Sequence, residues 1–167
     1  MSHHNTAFHQ LLQPLAKHEF EALAKQHHQG QKLRSASRWD QFIGLSMSQL
    51  SGRQSLRDIE SSLRSQQHKL YHLGAKPVAR STLARLNEKQ PAELYQAVFY
   101  KLLGRCSVRS NNHKFRFKNP LYSLDASIID LSLKLFPWAK CHQTKAAVKL
   151  HAGLNNGSLI PEFVALS

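Results

Sequence analysis

Acidic side chains are scarce in this chain: 10 Asp and Glu stand against 23 Lys and Arg in 167 residues, a formal net charge of +13. Cysteine is scarcer still. Cys106 and Cys141 supply neither a disulfide framework nor the paired spacing of a zinc site, and a reducing cytoplasm is the expected setting. No apolar run approaches the roughly 20 residues that span a bilayer, which excludes a membrane helix. The opening MSHHNTAFHQLL lacks both the basic start and the long apolar stretch of a signal peptide. Metal ligation by histidine has little support, because His3-His4 and His27-His28 are adjacent pairs whose rings point apart, with no Cys or carboxylate at ligand spacing. Glycine and proline are modest in number. With 41% apolar residues, the chain can build a core as one domain or two small ones.

The positive charge is unevenly spread. Residues 1–120 hold 19 basic and 7 acidic side chains, residues 121–167 only 4 and 3. An excess of that size attracts polyphosphate through counterion release, whatever the base sequence. A basic solvated surface, or an RNA-binding one, has the same composition. An RNA reading finds no aromatic-rich motif for stacking single-stranded bases.

Periodicity predicts five helices. The first covers 6–28, with Phe8, Leu11, Leu12, Leu15, Phe20, Leu23 and Ala24 as its apolar stripe and a bend or late start at Pro14. Ser37 with Asp40, and Ser55 with Asp58, read as caps of the second and third helices. In the third, Leu56, Ile59 and Leu63 face inward, and Arg53, Arg57 and Arg64 lie outside. A loop with Gly74 and Pro77 follows, then a fourth helix opened by Ser81 and ending near Lys89, with Leu83 and Leu86 buried. That leaves Arg80, Thr82, Arg85, Asn87 and Lys89 facing outward, residue types that reach base edges and phosphates. Helices three and four read as a helix-turn-helix with a connection longer than a tight one. A plain helical bundle with a basic face fits the same spacing. The fifth helix runs from Pro91 to about Leu103, and Cys106 after it is expected to be a partly buried thiol.

A polar linker over 107–113 divides the chain into a basic helical domain, 1–110, and a second domain, 111–167. In HKFRFKN, Lys114, Arg116 and Lys118 share one strand face, which suits either a phosphate-tracking strand or a soluble edge. Strands are expected at 121–129, 145–155 and 158–167, with Asn155-Asn156-Gly157 as the turn joining the last two. Alternation puts Asp125 on a face with Ser123 and Ser127, leaving room for an ion. Lys149 and His151 join it if the register allows. Asp130, at an odd offset of five, falls on the face opposite Asp125, Glu162 lies in the last run after Pro161, and both read as structural.

Five stretches carry a family resemblance: HQLLQPLAKHEF (9–20), SLRDIE (55–60), YHLGAKPVARSTLARLNEK (71–89), LYSLDASIIDLSLKLFPWAK (121–140) and TKAAVKLHAGL (144–154). Over residues 8–167 the chain resembles the N-terminal part of bacterial DDE transposases of the insertion sequence four group. The resemblance implies an α+β chain: a basic, helix-turn-helix-like α-helical domain followed by the first three antiparallel strands of a ribonuclease H-like domain. It implies that Asp125 is the first carboxylate of an Asp-Asp-Glu triad. That triad holds two divalent cations, usually Mg2+, for in-line displacement at a phosphodiester. The second Asp and the Glu are expected beyond Ser167, so this chain is expected to be an N-terminal fragment that is inactive alone. The implied partner is the double-stranded DNA of the element's terminal repeats, bound by Arg57, the outward residues of the fourth helix, Lys114, Arg116, Lys118 and Lys149. A homodimer or full-length transposase is the implied protein partner, in a bacterial cytoplasm. The chain departs from the family at Cys141-His142, where a bulky apolar residue is expected, and at Asn155-Asn156, where the turn is expected to be acidic. The alternative function is a non-catalytic DNA-binding module that regulates or inhibits the full-length enzyme. Strands without covering helices are expected to expose an aggregation-prone sheet face.

Overall fold

The computed structural model describes residues 7–53, 55–109, 119, 121–131, 140–142, 145–158 and 160–166. The expected strand at 114–118 lies outside them. Two compact units, Met1–Tyr100 and Lys101–Ser167, make up the chain. The first is helical and the second carries an antiparallel sheet, so the chain is α+β.

The expected first helix is two, α1 (Ala7–Leu12) and α2 (Lys17–Gln26), interrupted at Pro14, which cannot donate to the helical ladder. α3 (Arg38–Leu50) opens with the Ser37–Asp40 capping box. Asp40 is buried and fully used: it accepts from Ser37 N–H at 2.8 Å, from Ser37 Oγ at 2.7 Å and from Lys76 N–H at 2.8 Å. One carboxylate thus caps α3 and ties it to the segment before the sixth helix. α4 (Leu56–Ser65) is capped by Ser55, with Ile59 and Leu63 buried as the periodicity requires.

The expected loop after α4 contains a further helix, α5 (Gln67–His72). Six residues with one buried position, Leu70, and no side-chain cap leave no periodic signal to read. α6 (Arg80–Lys89) begins one residue before the expected start, and Ser81 does not cap it. The role passes to a distant residue: Glu60 of α4 accepts from Arg80 N–H at 3.1 Å and from Arg64 at 2.7 Å. A carboxylate there faces the positive end of the α6 dipole. α7 (Glu93–Arg109) runs on past Leu103 through the first residues of the expected linker, and Cys106 is exposed rather than partly buried.

The backbone bond from Arg80, followed by the bond from Arg64, lowers the Glu60 pKa. Above the ordinary glutamate pKa of about 4.3, the carboxylate is charged in both folded and unfolded chains, and its bonds contribute fully. As pH falls below that value the unfolded chain protonates first, so this stabilisation is lost. Glu60→Gln should therefore flatten the acid side of the pH–stability curve, read from urea midpoints at roughly pH 3 to 6. An unchanged acid slope in the variant would show that Glu60 does not couple α4 to α6.

The core of this unit lies where α2, α3, α4 and α6 meet. Phe20 and Ile43 are fully buried, with Trp39, Leu63 and Leu83 beside them at 3% exposure or less. The Phe20 ring packs edge-on to Trp39 at 5.2 Å and lies 5.0 Å from Phe42, and the Trp39 indole N–H donates to Leu73 O at 2.9 Å.

In the second unit, β1 (Tyr122–Leu131) and β4 (Ile160–Leu166) both pair antiparallel to β3 (Lys145–Asn155). A short β2 (Lys140–His142), not anticipated from sequence, pairs with the start of β3. The expected turn does join antiparallel neighbours, with Asn155 Oδ1 accepting from Gly157 N–H at 2.8 Å. Gly153 is required where it stands, because a Cβ there would collide with the Phe163 ring. Apolar side chains remain exposed on both faces, Leu124 at 75% and Ile129 at 43% among them.

Candidate nucleic-acid interface

The outward residues of α6 divide into three groups. Thr82, Arg85 and Lys89 recur at helical spacing and, with Leu86 between them, line one side of a cavity of about 780 Å³. Asn87 is exposed as well, but its side-chain oxygen accepts from the buried Gln41 amide. Arg80 is exposed at the Glu60 end of the helix and is absent from the cavity lining. Arg57 is exposed on α4, also outside that lining.

The opposite side of the cavity is the α2–α3 loop, residues 29–36, with Lys32 and Arg34. Sequence reading passed over these two; the available signal was KLR in a short segment between Gly30 and the Ser37 cap. Gly30 has φ +76°, a turn that side-chain-bearing residues rarely adopt. Gln90, at the end of α6, fixes the loop: its Nε2 donates to Gln29 O at 2.8 Å and its Oε1 accepts from Gln29 N–H at 3.4 Å. The lining carries four cations, Lys32, Arg34, Arg85 and Lys89, and no carboxylate. Among the described residues, no acid forms an ion pair with any of the four.

Beneath α6 runs a buried polar chain. Arg38, 5% exposed, donates to Gln41 Oε1 and to Pro91 O, both at 2.8 Å, and lies 5.3 Å from the centre of the Tyr95 ring. Burial lowers the Arg38 pKa, while the Tyr95 hydroxyl is raised by its own burial. Through Gln41 this chain reaches Asn87, so the orientation of α6 is tied to the core by hydrogen bonds as well as by Leu83 and Leu86.

Asp125 stands exposed on β1, with Ser127 Oγ donating to it at 3.3 Å. Register decides its company. Asp125 faces Ala152, whereas Lys149 faces Ile128 and His151 faces Ala126. Residues paired across antiparallel strands share a face, so Lys149 and His151 lie on the side away from Asp125, and the expected grouping does not form. Glu162 accepts from Asn155 at 2.7 Å, and its carboxylate beside the Tyr122 hydroxyl raises that pKa. Tyr122 pairs with Asn155 on the same far face. Among the described residues, no three His, Cys, Asp or Glu side chains gather to hold an ion. One carboxylate and a hydroxyl do not fit a two-cation centre. Lys114, Arg116 and Lys118 lie outside the described residues.

The geometry defines a basic helical unit with a carboxylate-free cleft, followed by an antiparallel sheet on which Asp125 is exposed. Residues 3–76 match the family model described as "Domain of unknown function (DUF4372)", which is under half of the chain. Over 83 residues the chain is 26% identical to a probable transposase for insertion sequence element IS5377 from Geobacillus stearothermophilus, covering 50% of this chain and 20% of that protein. The chain is thus related to an insertion-sequence transposase and spans about a fifth of that relative's length. No solved structure matches it. Among the described residues, no helix is long and apolar enough to cross a membrane.

Proposed function

We propose that this chain is a part of an insertion-sequence transposase whose helical unit binds double-stranded DNA at the element's terminal repeats. The observation that carries this reading is the cleft, where Arg85 and Lys89 of α6 stand with Lys32 and Arg34 and no acid offsets them. Cations of that density bind phosphate by releasing counterions. In this reading α6 acts in helix-turn-helix fashion beside the DNA, with Arg57 and Arg80 as flanking contacts. Fluorescence anisotropy of a labelled terminal-repeat duplex, titrated with the full chain at several salt concentrations, tests it. Affinity should fall steeply and log-linearly with salt. Absence of binding even at about 50 mM salt would end the proposal.

For the second unit we propose a ribonuclease H-like beginning of the DDE type, in which Asp125 is one ligand of a Mg2+ site. The described residues do not complete such a site, so the chain alone is proposed to be catalytically silent. Supercoiled plasmid incubated with the chain and Mg2+ should stay intact, and Mg2+-dependent nicking lost in Asp125→Asn would refute this. Because no metal-holding group forms around Asp125 among the described residues, a second reading is a DNA-occupying regulator that acts on its own DNA ends or with full-length transposase.

A further inference from the structure

We propose that the α2–α3 loop is the second jaw of a phosphate clamp, in which Lys32 and Arg34 grip, from the side facing α6, the same sugar-phosphate backbone that Arg85 and Lys89 contact. The inference rests on the DNA reading above and adds to it the two-sided grip of the loop and α6 on one backbone.

Three observations converge on it. The cavity is two-sided, with cations on both walls and no carboxylate in the lining. A space of about 780 Å³ cannot enclose a duplex, so the occupant in this proposal is a single sugar-phosphate backbone. The loop is also a built wall rather than a loose one. Gln90 holds Gln29 through both ends of its carboxamide, and His28 Nε2 lies 3.2 Å from Gln31 O. A jaw held in place loses less freedom when it closes on a ligand than a mobile loop does. Scale agrees as well. Thr82 to Lys89 is eight residues of helix, seven rises or about 10 Å along the axis. The rise of about 3.4 Å per phosphate is measured along the duplex axis and the path along one backbone is longer, so the α6 wall matches about two consecutive phosphates. Lys32 and Arg34 then neutralise from the opposite side charge that a single helix face leaves open.

Counterion release gives the expected size. Each phosphate contact adds about 0.9 to the salt slope, worth about eightfold in affinity at 0.1 M salt. Lys32→Gln with Arg34→Gln should lower duplex affinity roughly 60-fold at that salt and flatten the slope by about 1.8. Lys69→Gln, an exposed cation on α5, should leave the slope unchanged. Amide NMR of the unsubstituted full chain with the same duplex gives a second measurement, with shifts expected at residues 29–36 as well as 82–89. If the loop variant keeps the parental slope while Arg85→Gln with Lys89→Gln loses it, or if shifts fall on α6 alone, DNA binding stands and the second jaw does not. If the unsubstituted chain binds no duplex, the DNA reading itself fails.

Discussion

Replacing Arg85 and Lys89 together with glutamine should lower duplex affinity roughly 60-fold at 0.1 M salt and reduce the log-affinity versus log-salt slope by about 1.8. Both side chains are exposed on the cleft face of α6, and neither has a carboxylate partner among the described residues, so their charge is available to phosphate. The helix itself should persist, because its packing rests on Leu83 and Leu86 and its first amide on Glu60. Arg80→Gln is the informative companion. Its side chain is absent from the cleft lining, so a smaller fall is expected. An equal fall for Arg80 would move the interface from the cleft to the start of the helix. A flat slope in the parent chain would mean that the charge excess does not act on nucleic acid.

Phe20→Ala should remove a large part of the stability of the helical unit. Phe20 has no solvent exposure and is the ring on which Trp39 and Phe42 both pack, so truncation opens a cavity where α2 meets α3. Buried Phe→Ala changes cost about 3–5 kcal/mol, against about 5–15 kcal/mol for a whole domain of ordinary size. In urea unfolding of the full chain followed by helical circular dichroism, the midpoint should collapse or the baseline should already be sloping. A shift equivalent to less than about 1 kcal/mol would show that the aromatic group is not the centre of the core. DNA binding should fall with it, since the α2–α3 loop hangs between the two helices that Phe20 joins.

Local chemistry was legible in the residues themselves. The caps Ser37–Asp40 and Ser55–Asp58, the break at Pro14, the buried pair Leu83 and Leu86, and the Asn-Asn-Gly turn each depend on residues within a few positions of one another. Such signals survive without knowledge of the fold. α5 was missed for the converse reason: six residues with one buried contact carry almost no pattern, and only Leu70 reaching the core makes them a helix. At the α6 start the sequence makes Ser81 the first residue, whereas the helix begins at Arg80, whose amide is held by a carboxylate 20 residues away.

What the sequence determined by itself was the order of helices before strands, the identity of most helices, and the placement of Arg85 and Lys89 on one outward face. Tertiary structure alone decided what those residues face. The cleft needs Gln29 held by Gln90 across 61 residues, which brings Lys32 and Arg34 opposite α6. It also decided the company of Asp125. The pairing of β1 with β3 set Lys149 and His151 on the other face, and a shift of one residue would have put them beside it. Alternation along a strand is written in the chain. Register between strands is fixed only when the turns close and the side chains pack.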